Sequence, residues 1–312
     1  MNASYRARLL AGAAAATSIF SATPLMAQSC EIDDDTVECE ANAEASEINE
    51  ALGGLSGPSG ILEIGEDALV TADVAAIEPP TPPIVQNLAI ANAGVIGSEF
   101  DPLDIVFQPP EGSVEDGSSF TFVNFGSMFG DIDASVDLGI DFGISGLQVG
   151  AVSLESRYGD LNAVIGGDLM LPDVSDEENV LAMSAATGDA LVRTLEGASV
   201  QGDIAVLAGG DVALLNDGAI SGEVEIQAGI QSIETEETVT AETTGLDDGT
   251  EQTDRVETVT NRSAFTRGTA GVINGASGTI SGDVELRGSD GVRLRNAGLI
   301  DGAVVLNSAN QE

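Results

Sequence analysis

Near the C-terminal end of this 312-residue chain, glycines recur at Gly202, Gly222, Gly282 and Gly302. Two residues before each stands Val200, Ile220, Ile280 or Ile300, and two after comes Ile204, Val224, Val284 or Val304. Four after comes Val206, Ile226, Leu286 or Leu306; ten before comes Val192, Val212, Val272 or Val292. All sixteen positions are Val, Ile or Leu. A period of about 20 residues, with short β-branched runs around a glycine, is the mark of a solenoid, because one such unit cannot bury its apolar face alone. Within a repeat, Gly282-Asp283-Val284-Glu285-Leu286 sends alternate side chains inward and leaves the acids outside. The corresponding acids are Asp203 and Glu223, with Ala303 in the last repeat. The fold this predicts is all-β: a parallel β-helix of ~20-residue coils, strongest over 192–306.

The start of the chain is a different kind of segment. Arg6 and Arg8 precede the apolar run Leu9 to Phe20, and Pro24-Leu25-Met26-Ala27 offers cleavage between Ala27 and Gln28. This reads as a secretory signal peptide over 1–27; its apolar run is too short to span a bilayer. Cys30 and Cys39 are the two cysteines of the chain. So close behind an export signal they read as a disulfide, worth roughly 2–3 kcal/mol for so short a loop.

Charge narrows the partners. There are 52 acidic residues and ten basic ones, all arginine; removing Arg6 and Arg8 leaves eight against 52, a net −44. Phosphate binding needs clustered Lys and Arg, so nucleic acid is excluded, and anionic lipid is disfavoured for the same reason. With no histidine and no lysine, Ser-His-Asp and Cys-His catalysis, Schiff-base chemistry and a phosphate-cradling P-loop are all ruled out. Carboxylate pairs abound, but in so acidic a chain a pair carries little information.

Along the chain, 28–60 reads as an acidic, loosely ordered lead-in with one helical turn. Residues 61–191 read as an irregular β-rich region of degenerate coils, broken by the proline runs EPPTPP at 78–83 and Pro109-Pro110. Asn92-Ala93-Gly94-Val95-Ile96-Gly97 resembles Asn296-Ala297-Gly298-Leu299-Ile300 and reads as the first such coil. Residues 131–144 alternate strictly and predict a half-buried strand or two. Its polar face, carrying Asp131, Asp133, Asp137 and Asp141, offers the hard oxygen ligands of a calcium site. Residues 192–312 hold the regular repeats, with an insertion at about 227–266 because no glycine unit stands at 242 or 262. The insertion carries nine acids between Glu234 and Glu257 and a Gly245-Leu246-Asp247-Asp248-Gly249 tip, which predicts a β-hairpin arm.

The series Asn216-Asp217-Gly218-Ala219-Ile220-Ser221-Gly222-Glu223-Val224-Glu225-Ile226, with its partners at 274–286 and 296–306, resembles the coils of autotransporter passenger domains. These are bacterial secreted β-helices carried outside by a C-terminal outer-membrane barrel. The resemblance covers 192–306 well and 60–191 weakly. It implies an exported, non-catalytic structural or adhesive region at the surface of a Gram-negative cell. The implied partners are a translocation barrel, expected beyond Asn310-Gln311-Glu312, and a host-cell, matrix or glycan receptor. No cofactor is implied, with calcium a secondary expectation. The alternatives are a secreted polysaccharide lyase or hydrolase, which needs a groove of convergent acids and arginines, and a divalent-cation-dependent matrix or S-layer-like protein; Arg287, Arg293 and Arg295 are the arginines that cluster in sequence, and they read as surface charge on the last coils.

Overall fold

A computed structural model describes residues 30–79, 85–109, 117–172, 179–229, 231–245, 251–265 and 267–308. They form a three-sided parallel β-helix. The first sheet runs through eleven strands from Cys30–Asp33 to Gly291–Asn296. The second runs through ten from Ala43–Glu44 to Leu299–Ile300, and the third through nine from Ala76–Ile77 to Val304–Ser308. A representative coil is Gly139–Ile144, Leu147–Val149 and Val152–Ser156, one strand per side. Each pairs in parallel with the same side of the coils above and below. Ten coils at about 4.8 Å each make a rod of about 48 Å.

Period-two alternation fills the interior. Val192, Val200, Ile204 and Val206 are buried, as are their counterparts around Gly222 and Gly282. Farther back the core is aromatic: Phe107, Phe120, Phe122 and Phe142 stack with ring centres 5.5 to 6.5 Å apart. One detail of the repeat differs from the sequence reading. Val192 and Val212 do not share a column: Val192 lies beside Leu214, which lies beside Val272, while Val212 lies beside Ala190 and Ala270. The cause is the corner after the first sheet. It takes four residues from Thr194 to Ser199 and from Asn274 to Thr279, but two from Asn216 to Ala219 and from Asn296 to Leu299. A slip of two keeps every side chain on its own face, so the core is unharmed.

The repeat glycines mark the second-to-third corner, where coils meet backbone to backbone. A Cβ on Gly222 would lie 2.1 Å from the Gly202 carbonyl oxygen, and one on Gly282 2.1 Å from that of Gly222. Gly302 stands in the same relation to Gly282, and Gly150 to Gly130. At the first-to-second corner asparagines stack in two stretches of one column, with Ile144 and Ile165 between them. Asn92 Nδ2 donates to Asn124 Oδ1 (2.9 Å), Asn216 Nδ2 to Asn274 Oδ1 (2.7 Å) and Asn274 Nδ2 to Asn296 Oδ1 (2.8 Å). Thr194 Oγ1 donates to Asn216 Oδ1. The amide oxygens of Asn92, Asn216 and Asn296 accept the N–H of Gly94, Gly218 and Gly298 two residues on, closing the turn.

The N-terminal region departs from the expected loose lead-in. Residues 36–44 already belong to the first coil, and Ala45–Gly53 is a nine-residue helix, α1, standing where a third-sheet strand would stand. Glu47 accepts the Glu44 N–H at the start of α1. Ala45, Ile48, Ala51 and Leu52 are buried. Asn49 ties α1 to the next coil, donating to the Ala76 carbonyl and accepting the Glu78 N–H. Strand Cys30–Asp33 doubles back antiparallel on Thr36–Cys39, and Cys30 and Cys39 are disulfide-bonded. Helix and hairpin together form an end cap of the kind a solenoid needs. From Ser59 onward the same coil continues through the region read as irregular. Its period is hidden there by corners of unequal length, such as 97–103 and 108–118.

Gly282→Ala is expected to cost at least about 2 kcal/mol, because backbone must move to admit the methyl group. Gly57→Ala, where a Cβ meets nothing within 4 Å, is expected to be close to neutral. Urea unfolding followed by circular dichroism compares the two.

Candidate functional site

The acids of this chain first serve the scaffold. At the second-to-third corner, Asp104 Oδ1 accepts the Asp131 N–H (2.9 Å) and Asp131 Oδ1 accepts the Ala151 N–H (2.7 Å). Asp203 does the same for Glu223 and Asp283 for Ala303, each at 2.7 Å. At the third-to-first corner, Asp160 accepts from Asp189, Asp189 from Asp211, and Asp211 from Thr269. In every case an aspartate that opens a strand or stands just before one accepts the N–H of the residue beside it on the next coil. These N–H groups lie at corners where the sheet ladder is interrupted, and a carboxylate supplies a charge-assisted acceptor.

The four aspartates of 131–144 do not share a face. The alternating run is two strands, Ile132–Val136 in the third sheet and Gly139–Ile144 in the first. Asp131 sits at a corner, Asp133 on the outside of the third sheet and Asp141 on the outside of the first. Asp137 falls in the turn between the strands and is 3 % exposed. Asp133 accepts from Gln108 Nε2 at 2.7 Å and Asp141 from Asn162 Nδ2 at 3.1 Å. The turn breaks the period-two count, so the expected convergent oxygen face is absent. Among the described residues, no three Asp, Glu, Cys or His side chains are grouped so as to hold a metal ion.

The turn that buries Asp137 instead builds a polar cleft of about 190 Å³, lined by Ser118, Ser135, Asp137, Glu155, Ser156 and Arg157 among others. Asp137 Oδ1 lies 3.5 Å from the Arg157 guanidinium, and its N–H donates to Ser118 Oγ at 3.0 Å. Ser135 Oγ donates to Glu155 Oε2 at 3.3 Å. The guanidinium sits 5.9 Å from the Tyr158 ring centre. Ligand pockets usually exceed about 300 Å³, so this cleft suits water or a single small polar group better than a sugar subsite. Beside it, burial raises the pKa of Asp133; the Gln108 hydrogen bond opposes this and the Glu155 charge adds to it. At the cap, the Asp73 carboxyl is held below its ordinary value by hydrogen bonds from Ser46.

The insertion forms two strands, Gln231–Gly245 and Glu251–Phe265, antiparallel over their full length in a sheet of their own. At about 3.4 Å per residue each spans about 50 Å. The coils on either side ignore it: Leu214 still lies beside Val272, Ile220 beside Ile280 and Val224 beside Val284. The clustered arginines do not converge on a groove. Arg287 bridges Glu225 (3.1 Å) and Glu285 (2.9 Å) on the outside of the third sheet, while Arg293 and Arg295 stand exposed on the first. Ala27 and Gln28, the expected cleavage pair, lie outside the described residues, as does the arm tip at 246–250. No helix among the described residues is long and apolar enough to cross a membrane. Sequence reasoning missed the Asn column, whose signal was available as Asn-x-Gly at 92, 124, 216 and 296. It also missed the Asp137–Arg157 pair, which only the turn brings together.

Comparison with family models, with curated proteins and with solved structures finds no match to this chain.

Because burial raises the Asp133 pKa above the unfolded 3.8, the folded state holds that proton more tightly. The resulting penalty develops as pH rises through the raised value and is complete at neutral pH. Asp133→Asn, whose amide oxygen can still accept from Gln108, is therefore expected to stabilise the protein at pH 7. The gain should stay below about 1 kcal/mol, since the group is partly solvated. It should fade as pH is lowered below the raised pKa, as thermal unfolding across a pH series would record.

Proposed function

We propose that this chain is an exported β-helical rod of the bacterial cell surface, similar to an autotransporter passenger region, acting by adhesion rather than catalysis. The observation that carries the reading is the arm. Some forty residues are inserted at one corner, yet the coils before and after it stack in unbroken register. The scaffold therefore gains nothing from the insertion, and loops leaving a solenoid are where such proteins place recognition. Its nine acids between Glu234 and Glu257 favour a partner with a cationic face, on a host cell, in the matrix or on a glycan carrier. The basic start at Arg6 and Arg8, the apolar run behind it and the Cys30–Cys39 disulfide fit an oxidising compartment outside the inner membrane. A translocating outer-membrane barrel is the expected carrier.

The test is surface display in a Gram-negative host, with a variant in which Gly229 is joined directly to Arg267. The expected result is that both forms reach the outside and fold alike by circular dichroism. The shortened one should lose at least about tenfold in binding to cells or matrix-coated surfaces. Retention in the cytoplasm, or adhesion indifferent to the arm, would overturn the reading. Turnover of a polysaccharide would support the lyase or hydrolase alternative, and unfolding on chelation the divalent-cation matrix protein.

A further inference from the structure

The outer wall of the first sheet is unlike the rest of this acidic surface. From strand Ser59–Ile64 to strand Gly291–Asn296, two columns of side chains face outward through nine strands, one running from Glu63 to Arg295 and the other from Ile61 to Arg293. Of their eighteen members two are acids, Glu63 and Asp141, and three are arginines, Arg193, Arg293 and Arg295. The wall of the third sheet, by contrast, carries Asp133, Glu155, Glu225 and Glu285. Arginine is the scarce charge of this chain, yet none of the three forms an ion pair among the described residues. Wall side chains point sideways from the rod, so coils stacked on either end would leave them uncovered. Two wall positions are glycine without a steric reason. A Cβ on Gly143 would meet nothing closer than 3.8 Å and one on Gly271 nothing closer than 3.7 Å, and neither has a left-handed φ. Glycine inside a strand weakens it and often marks a place where another chain comes close.

The Glu63–Arg295 column is complementary to itself about its middle member, Val164. One strand away stand Gly143 on one side and Arg193 on the other, and two strands away Val123 and Leu215. Three strands away come Ala91 and Ile273, and four away Glu63 and Arg295. Large is thus matched with small, and cation with acid. A second wall, turned over about a two-fold axis that runs parallel to the strands above Val164, brings these pairs together. Arg295 of each copy meets Glu63 of the other, Ile273 (46 % exposed) lies over Ala91, and Arg193 fills the gap at Gly143 beside Asp141. In the neighbouring column the same operation sets Gly271 against Ala89. Sheets packed face to face lie about 10 Å apart, within reach of an arginine side chain. Nine strands at about 4.8 Å, each about five residues at 3.3 Å wide, cover roughly 700 Å² per copy. The total of about 1,400 Å² falls within the range of stable interfaces. At physiological salt, charges much beyond about 8 Å are screened, so the acids of the other walls do not hold two such faces apart.

We propose that the outer wall of the first sheet binds a second copy of this chain, face to face and antiparallel, about a two-fold axis over Val164. The inference stands independently of the cell-surface reading. Light scattering coupled to size exclusion, on the full chain between about 1 and 100 µM in physiological salt, should give the mass of two chains. Arg295→Glu should weaken the dimer at least about tenfold, and adding Glu63→Arg to it should restore the dimer. Val164→Arg, which sets two cations against each other at the axis, should abolish it. Circular dichroism should show each variant folded like the parent. A single-chain mass throughout, a dimer indifferent to Val164→Arg, or no rescue by Glu63→Arg would each overturn the proposal. So would a dimer that appears only when Gly229 is joined to Arg267, which would make the inserted arm the occupant of the wall. An open series of larger oligomers would overturn it too, since a two-fold contact closes at two.

Discussion

Everything in this molecule depends on coils meeting main chain to main chain about 4.8 Å apart. Each interior strand gives its hydrogen bonds to the coils above and below and none to its own. Side-chain choice follows from that spacing. On the walls it demands apolar residues at alternate positions. At the corners it leaves so little room that Gly222, Gly282 and Gly302 have carbonyl oxygens where a Cβ would go. It also makes like stack on like, so that Asn over Asn and Asp beside a backbone N–H form columns of identical interactions. The buried amides are tolerable because each donor has an acceptor within reach: the next asparagine, or, where Ile144 follows Asn124 in the stack, the Leu147 carbonyl.

The strong negative charge takes on a different meaning in this light. Read as composition, 52 acids suggest solubility or cation binding. In the fold, a good part of the aspartate population sits just before strands, accepting N–H groups that a three-sided coil leaves over at its corners. The acidity of the walls is to that extent a by-product of the turning geometry. The inserted arm adds nine acids between Glu234 and Glu257 on a segment the coils do not need.

The repeat glycines and the residues two and four positions from them made the β-helix legible, because the second and third sheets keep a strict step between coils. The first sheet was legible only in outline, since corners alternating between two and four residues shift its column by two while preserving inward and outward faces. Residues 61–191 looked irregular because unequal corners hide a constant wall. The cap was missed because ASEINEALG is a short amphipathic stretch with no repeat to announce it, and its burial is decided by coils far along the chain. The misplaced aspartate face had a similar origin. Unbroken alternation across Asp137 and Leu138 resembles one strand, whereas the chain turns there and distributes the four carboxylates over two sheets and their corners.

The corners are not equivalent in another respect. That between the first and second sheets never exceeds four residues in any of the ten coils, while the other two take up 78–86, 97–103, 108–118, 171–178 and the arm. The rod thus has one invariant edge, running along the asparagine column, and two edges where sequence can be added without disturbing the stack. Length and decoration are consequently separate variables. Adding a coil lengthens the rod by a fixed increment and leaves the inserted segments untouched, and exchanging an inserted segment leaves the length unchanged. A lineage built on this plan can adjust its reach and change what it displays by independent steps.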